Sequence, residues 1–166
     1  PGSAYNPLYV MGPDGAGKST LLIALGNTLA ERDGCTVAYL GGETFVAELI
    51  DALEHSRLDG WRARYRRADV LLLDDLDTFA GMERAHEELF HLFEELQRDG
   101  RQLVFAATAP PQKLAVPDRL RSRLEGGLVV ELDPAEHPRP GSTGRDPWEE
   151  TPRTEDSAGA GSDAGA

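Results

Sequence analysis

Cysteine is almost missing from this chain. Cys35 stands alone, so no internal disulfide can form, which fits a reducing cytoplasm. Long hydrophobic runs are missing too. No stretch of the 166 residues is apolar enough to span a bilayer as a helix, and none reads as a secretory h-region. The expected location is therefore cytoplasmic, with no membrane partner. Basic residues are scarce: 17 Lys and Arg face 29 Asp and Glu, a net charge of −12. A field of that sign repels nucleic acid at long range. Any DNA contact must then rest on a local basic patch, or on other domains or subunits. Four histidines (His55, His86, His91, His137) lack metal-ligand spacing and read as surface or satisfied side chains. No internal repeat is found.

What is present is concentrated near the start. Residues 12–19 read Gly-Pro-Asp-Gly-Ala-Gly-Lys-Ser, which fits G-x-x-x-x-G-K-[ST]. A triphosphate packs several negative charges into a small volume. A Gly-rich loop meets it with successive backbone N–H groups, and the following helix adds its positive end. Gly12, Asp14, Gly15, Ala16, Gly17, Lys18, Ser19 and Thr20 are the candidate ATP-binding residues. Lys18 can reach the β- and γ-phosphates, and the Ser19 hydroxyl can ligate Mg²⁺. The context agrees with the motif. Pro7 to Met11 is a short apolar run suited to a buried strand, and Leu21, Leu22, Ala24, Leu25 and Leu29 form a helical stripe.

The rest of the body alternates strand and helix, the pattern of a parallel α/β sheet. Thr36–Leu40 is a β-rich run. Helices are expected near 43–55, 58–67, 82–98 and 117–124. Strands are expected at 70–73, 102–107 and 127–132, and Gly100 stands where a helix C′ glycine belongs. From Pro134 to Ala166 the chain turns rich in Pro, Gly, Ser, Ala and acids, with Trp148 its only large apolar residue. Residues 1–133 are expected to form the nucleotide-binding core and 134–166 a disordered tail.

Leu71-Leu72-Leu73-Asp74-Asp75 is an apolar strand ending in two carboxylates, the Walker B arrangement. In this reading Asp74 holds Mg²⁺, mostly through its water shell, and Asp75 orients or deprotonates the attacking water. Asp77 reads as a solvated loop residue. Thr108, at the end of a later strand, is either a hydroxyl facing the phosphate or an ordinary turn residue. Asp118 to Arg123 carries three arginines spaced two apart, either a solvated helix end or the source of an arginine finger.

With those residues in hand, the chain resembles the AAA+ ATPase domain of the bacterial DnaA replication-initiator family, from Ala4 to about Pro134. The likeness rests on Ala4-Tyr5-Asn6-Pro7-Leu8, Glu43-Thr44-Phe45, Arg64-Tyr65-Arg66, Leu72-Leu73-Asp74-Asp75 and Glu83-Arg84. It continues through Glu87 to His91, Pro110-Pro111 and Asp118 to Arg123. It implies a P-loop NTPase fold, a five-stranded parallel sheet sandwiched by helices. It further implies that Arg123 is the finger reaching a neighbour's ATP and that Arg119 takes part in subunit interaction. Ile50 and Arg84 match positions that face single-stranded DNA in the oligomer. Met82 departs from the usual lysine there, and Thr108 from the usual acid at sensor 1. The family's helical lid is expected after the last strand, where the Pro/Gly/acid tail begins. A truncated chain and a reduced paralogue both fit.

Three functions follow as expectations. The first is an ATP-binding protein of replication initiation or its control, with slow hydrolysis that needs a neighbour's Arg123. The second is a non-catalytic module docking on a full-length initiator or another AAA+ protein. The third, a small-molecule kinase, lacks a visible acceptor site.

Overall fold

The computed structural model describes residues 5–134; the expected tail, with Trp148, lies outside the described residues from 135 onward. Five strands build one parallel sheet: β1 (Leu8–Met11), β2 (Val37–Gly41), β3 (Val70–Asp74), β4 (Gln102–Ala107) and β5 (Leu128–Glu131), ordered β2-β3-β4-β1-β5. The helices are α1 (Lys18–Asp33), α2 (Gly42–Glu54), α3 (Leu58–Arg66), α4 (Glu83–Arg98) and α5 (Asp118–Glu125). Observed bounds differ from the expected ones by a residue or two, as helix and strand ends usually do.

Strand side chains alternate, and the alternation sorts the core. Val70, Leu72, Val104 and Ala106 face one side, where Leu22 of α1 meets them. Leu71, Leu73, Leu103 and Phe105 face the other, against Phe45 of α2, Trp61 and Tyr65 of α3, Phe93 of α4 and Leu120 of α5. One helix thus covers one face and four cover the other. β3 is buried along its whole length, as its unbroken apolar run demands. In α4, Ala85, Leu89, Leu92, Phe93 and Leu96 form the buried stripe. It ends as expected at Gly100, whose φ of 71° lets the Arg101 N–H close on the Leu96 carbonyl at 2.9 Å.

His86 departs from the surface reading. It sits inside the α4 stripe at 4% exposure, and its Nε2 has no hydrogen-bond partner among the described residues. The arginines of α3 do not form a free basic patch. Arg62 pairs with Glu88, Arg64 with Glu48 and Arg66 with Glu95.

Candidate nucleotide site at the carboxyl edge of the sheet

Every strand points its carboxyl end the same way, and that edge gathers the loop after β1, the two acids at the tip of β3 and Thr108 after β4. The strand order puts the β4 end between the other two. Gly12 joins them: its N–H donates to the Ala107 carbonyl at 3.2 Å. A Cβ on Gly12 would stand 2.6 Å from the Leu132 carbonyl oxygen, so no larger residue fits.

The loop turns at Gly15 and Gly17, both with positive φ (81° and 92°). Gly17 is the N-cap of α1. No side chain caps that helix and no acid stands in its first turn. Its leading N–H groups form the positive end of a 16-residue helix, and among the described residues no side chain caps them. Lys18 is buried, and its Nζ donates to the carbonyls of Gly12 (2.7 Å) and Pro13 (3.0 Å). Among the described residues it forms no ion pair. A buried ammonium in no direct ion pair among the described residues, beside amides that no side chain caps, is a cradle for an anion.

A cleft of about 260 Å³ opens here, lined by Asp14, Gly15, Gly17, Lys18, Ser19, Thr20 and Asp75. It brings most of the expected loop residues together with one of the two expected acids. Gly12 and Ala16 do not line it; their N–H groups donate to the carbonyls of Ala107 and Pro13. Asp75 takes a left-handed conformation (φ 54°), uncommon for a residue with a side chain, which swings it out from the strand end. Partial burial and then the neighbouring Asp74 push its carboxyl pKa up, although much of its surface is open; Lys18 pulls it back down, and Asp77 and Asp14 add to the rise. Mutual repulsion among these carboxylates is what a divalent cation would relieve.

Asp74 is buried at 2% exposure and accepts two hydrogen bonds, from the Asp75 N–H and the Tyr39 hydroxyl, both at 3.0 Å. Tyr39 was not among the expected site residues. Its place in the β-run two positions before Gly41, the partner of Asp74, was the available signal. Burial, and then the bond to Asp74, push the Tyr39 hydroxyl up to about 12, so it remains a donor.

Five further expected residues lie apart from the cleft lining. Thr108 is exposed beyond β4, and there it binds Asp77. Asp77 is accordingly half-buried and bonded, which corrects its reading as a solvated loop residue. Arg123 lies on α5, paired with Glu94 of α4. Arg119 stacks over Phe90 at 4.8 Å. Ile50 and Arg84 are both exposed, and Arg84 is held by Glu87 and Glu88.

Comparison with known proteins agrees with this geometry. The bacterial DnaA ATPase domain family matches over residues 1–131. The chromosomal replication initiator protein DnaA of Thermomicrobium roseum is 44% identical over 136 residues, which are 81% of this chain and 29% of that protein. Among solved structures, a replication initiator DnaA bound to AMPPCP and single-stranded DNA superposes with a TM-score of 0.76 at 40% identity, covering 79% of this chain and 41% of that one. Domain III of the Thermotoga maritima initiator gives 0.76 at 38% identity, covering 77% and 55%. The chain thus spans less than a third of the Thermomicrobium relative's length. A family match across the described body, together with a loop, acid pair and sheet order of AAA+ type, leads to one conclusion: the chain belongs to the bacterial DnaA ATPase domain family.

Proposed function

We propose that this chain binds ATP with Mg²⁺ at the cleft after β1 and serves replication initiation or its regulation. One observation carries the reading: the buried Lys18, in no ion pair among the described residues, beside the start of α1 that no side chain caps. A triphosphate there satisfies the amides and the ammonium together. The AMPPCP complex of the related initiator supports the same ligand class. The oxygen donors suit Mg²⁺: the Ser19 hydroxyl, and Asp74 acting through water. Each Asp74 oxygen accepts one hydrogen bond already and keeps a lone pair for a metal-bound water. Mg²⁺ would neutralise phosphate charge there. Asp75 would orient the attacking water, with Thr108 beside it.

Hydrolysis by the single chain should be slow. Arg123 does not line this chain's own cleft, and in an oligomer it would reach a neighbour's. Single-stranded DNA contact through Ile50 and Arg84 would likewise need an assembly, because Arg84 is already neutralised by Glu87 and Glu88. The second reading, an adaptor docking on a full-length initiator, is favoured by the pairing of Arg123 with Glu94. Turnover with and without that partner separates the two. Calorimetric titration of ATP with and without Mg²⁺ tests the first; no heat at millimolar ATP would remove it.

A further inference from the structure

Asp77 lies in the short 3₁₀ turn Leu76–Phe79 that follows β3, and Thr108 is the first residue after β4. The two make a double contact. The Thr108 N–H donates to Asp77 Oδ2 at 2.7 Å, and the Thr108 hydroxyl donates to Oδ1 at 2.9 Å. An ionised carboxylate is acceptor only. The hydroxyl proton is therefore committed inward, and only lone pairs remain on the exposed side of Thr108. Thr108 does not line the nucleotide cleft, but it follows directly on Ala107, whose carbonyl takes the N–H of Gly12 at the start of the phosphate loop. The charge of Asp77 also reaches the cleft, adding to burial and Asp74 in pushing up Asp75.

A hydroxyl at this place would ordinarily donate to a phosphate oxygen. Fixed as an acceptor and backed by a carboxylate, it repels such an oxygen and accepts a hydrogen bond from water instead. We propose that Asp77 is a positioning residue that sets the hydrogen-bond polarity of Thr108, so that Thr108 holds water beside the terminal phosphate and does not grip the phosphate itself. This rests on the nucleotide reading above. Its consequence is a chain that prefers ATP over ADP less than its loop and lysine alone would dictate.

Asp77→Asn reverses the polarity without changing shape. The amide oxygen accepts the Thr108 N–H, the amide nitrogen donates to the hydroxyl, and the hydroxyl proton turns outward. Calorimetry in Mg²⁺ should show ATP binding tightened about tenfold in Asp77→Asn, with ADP changed less than about twofold. The gain should vanish in Asp77→Asn/Thr108→Val measured against Thr108→Val, and should return in Asp77→Asn/Thr108→Ser. In the nucleotide-free protein, the Thr108 amide proton should move upfield on Asp77→Asn while thermal melting stays unchanged. Equal gains for ATP and ADP, or a gain that survives Thr108→Val, would mean that charge alone acts, and would overturn the proposal. An unmoved Thr108 amide would also overturn it. If the unchanged chain bound no nucleotide, the nucleotide reading would fail first, a result distinct from normal binding with an unchanged ATP-to-ADP ratio.

Discussion

Arg62 closes on Glu88 with two parallel bonds of 2.8 Å, from Nε and Nη2 to the two carboxylate oxygens. Glu88 is 1% exposed, whereas Arg62 keeps 28% of its side chain in solvent. The pair clamps α3 to α4. The desolvation burden therefore falls on the acid, and the two partners should not be equivalent when removed. Arg62→Ala leaves a buried carboxylate with Arg84 alone, and should cost about 3 kcal/mol in urea unfolding. Glu88→Gln leaves guanidiniums that can turn to water, and should cost about 1 kcal/mol. Equal costs would show that Glu88 is less desolvated than its burial indicates.

Lys18→Ala should leave the nucleotide-free fold nearly as stable, since Lys18 gives up two hydrogen bonds to loop carbonyls and no ion pair. It should abolish stabilisation by ATP. At a hundredfold excess over Kd, ATP with Mg²⁺ should stabilise the unchanged chain by about 2.7 kcal/mol, a melting shift of several degrees. Scanning fluorimetry of both proteins checks this. A shift that persists in Lys18→Ala would place the ligand elsewhere.

Glu94 and Arg123 are each more than two-fifths exposed, so their ion pair contributes little to stability. Glu94→Ala should melt like the unchanged chain. Mixed with a full-length initiator, it should raise nucleotide turnover by freeing the guanidinium. Arg123→Ala should lower the turnover that depends on this finger by about 10³-fold or more. Turnover unaffected by both changes would remove Arg123 from the reaction.

His86 gives the fold an acid-sensitive element. Burial holds its pKa below 6.5, against the opposing pull of a backbone bond at Phe79 and of Glu83. The unfolded chain then takes up the proton first. Stability is full above 6.5 and is lost as pH falls from there toward the lower folded value. Melting between about pH 7.5 and about pH 5.5 should show this loss, and His86→Phe should flatten it over the same range. A slope unchanged in His86→Phe would assign the effect to other groups.

Much of the site was legible because its parts are contiguous. The loop at 12–19 and the acids at 74–75 each carry the motif behind their proposed roles within a few residues, and an apolar run marks the strand before each. The helix near 82–98 and its closing Gly100 were legible for the same reason. What escaped involves pairs far apart along the chain. Asp77 and Thr108 are 31 residues apart, Tyr39 and Asp74 35, and Arg62 and Glu88 26. His86 escaped because the buried arc of α4 is wider than its apolar residues alone mark out.

By itself, then, the order of residues dictated an alternating parallel α/β body with a phosphate loop and a paired-acid strand tip, since backbone period and turn chemistry are local. Which loops became neighbours was decided only in three dimensions. Inserting β4 between β1 and β3 brings Thr108 onto Asp77 and beside Gly12, and folding α3 against α2 and α4 turns its arginines onto Glu48, Glu88 and Glu95. Strand order and helix docking follow from the packing of whole faces, which no short stretch of sequence encodes.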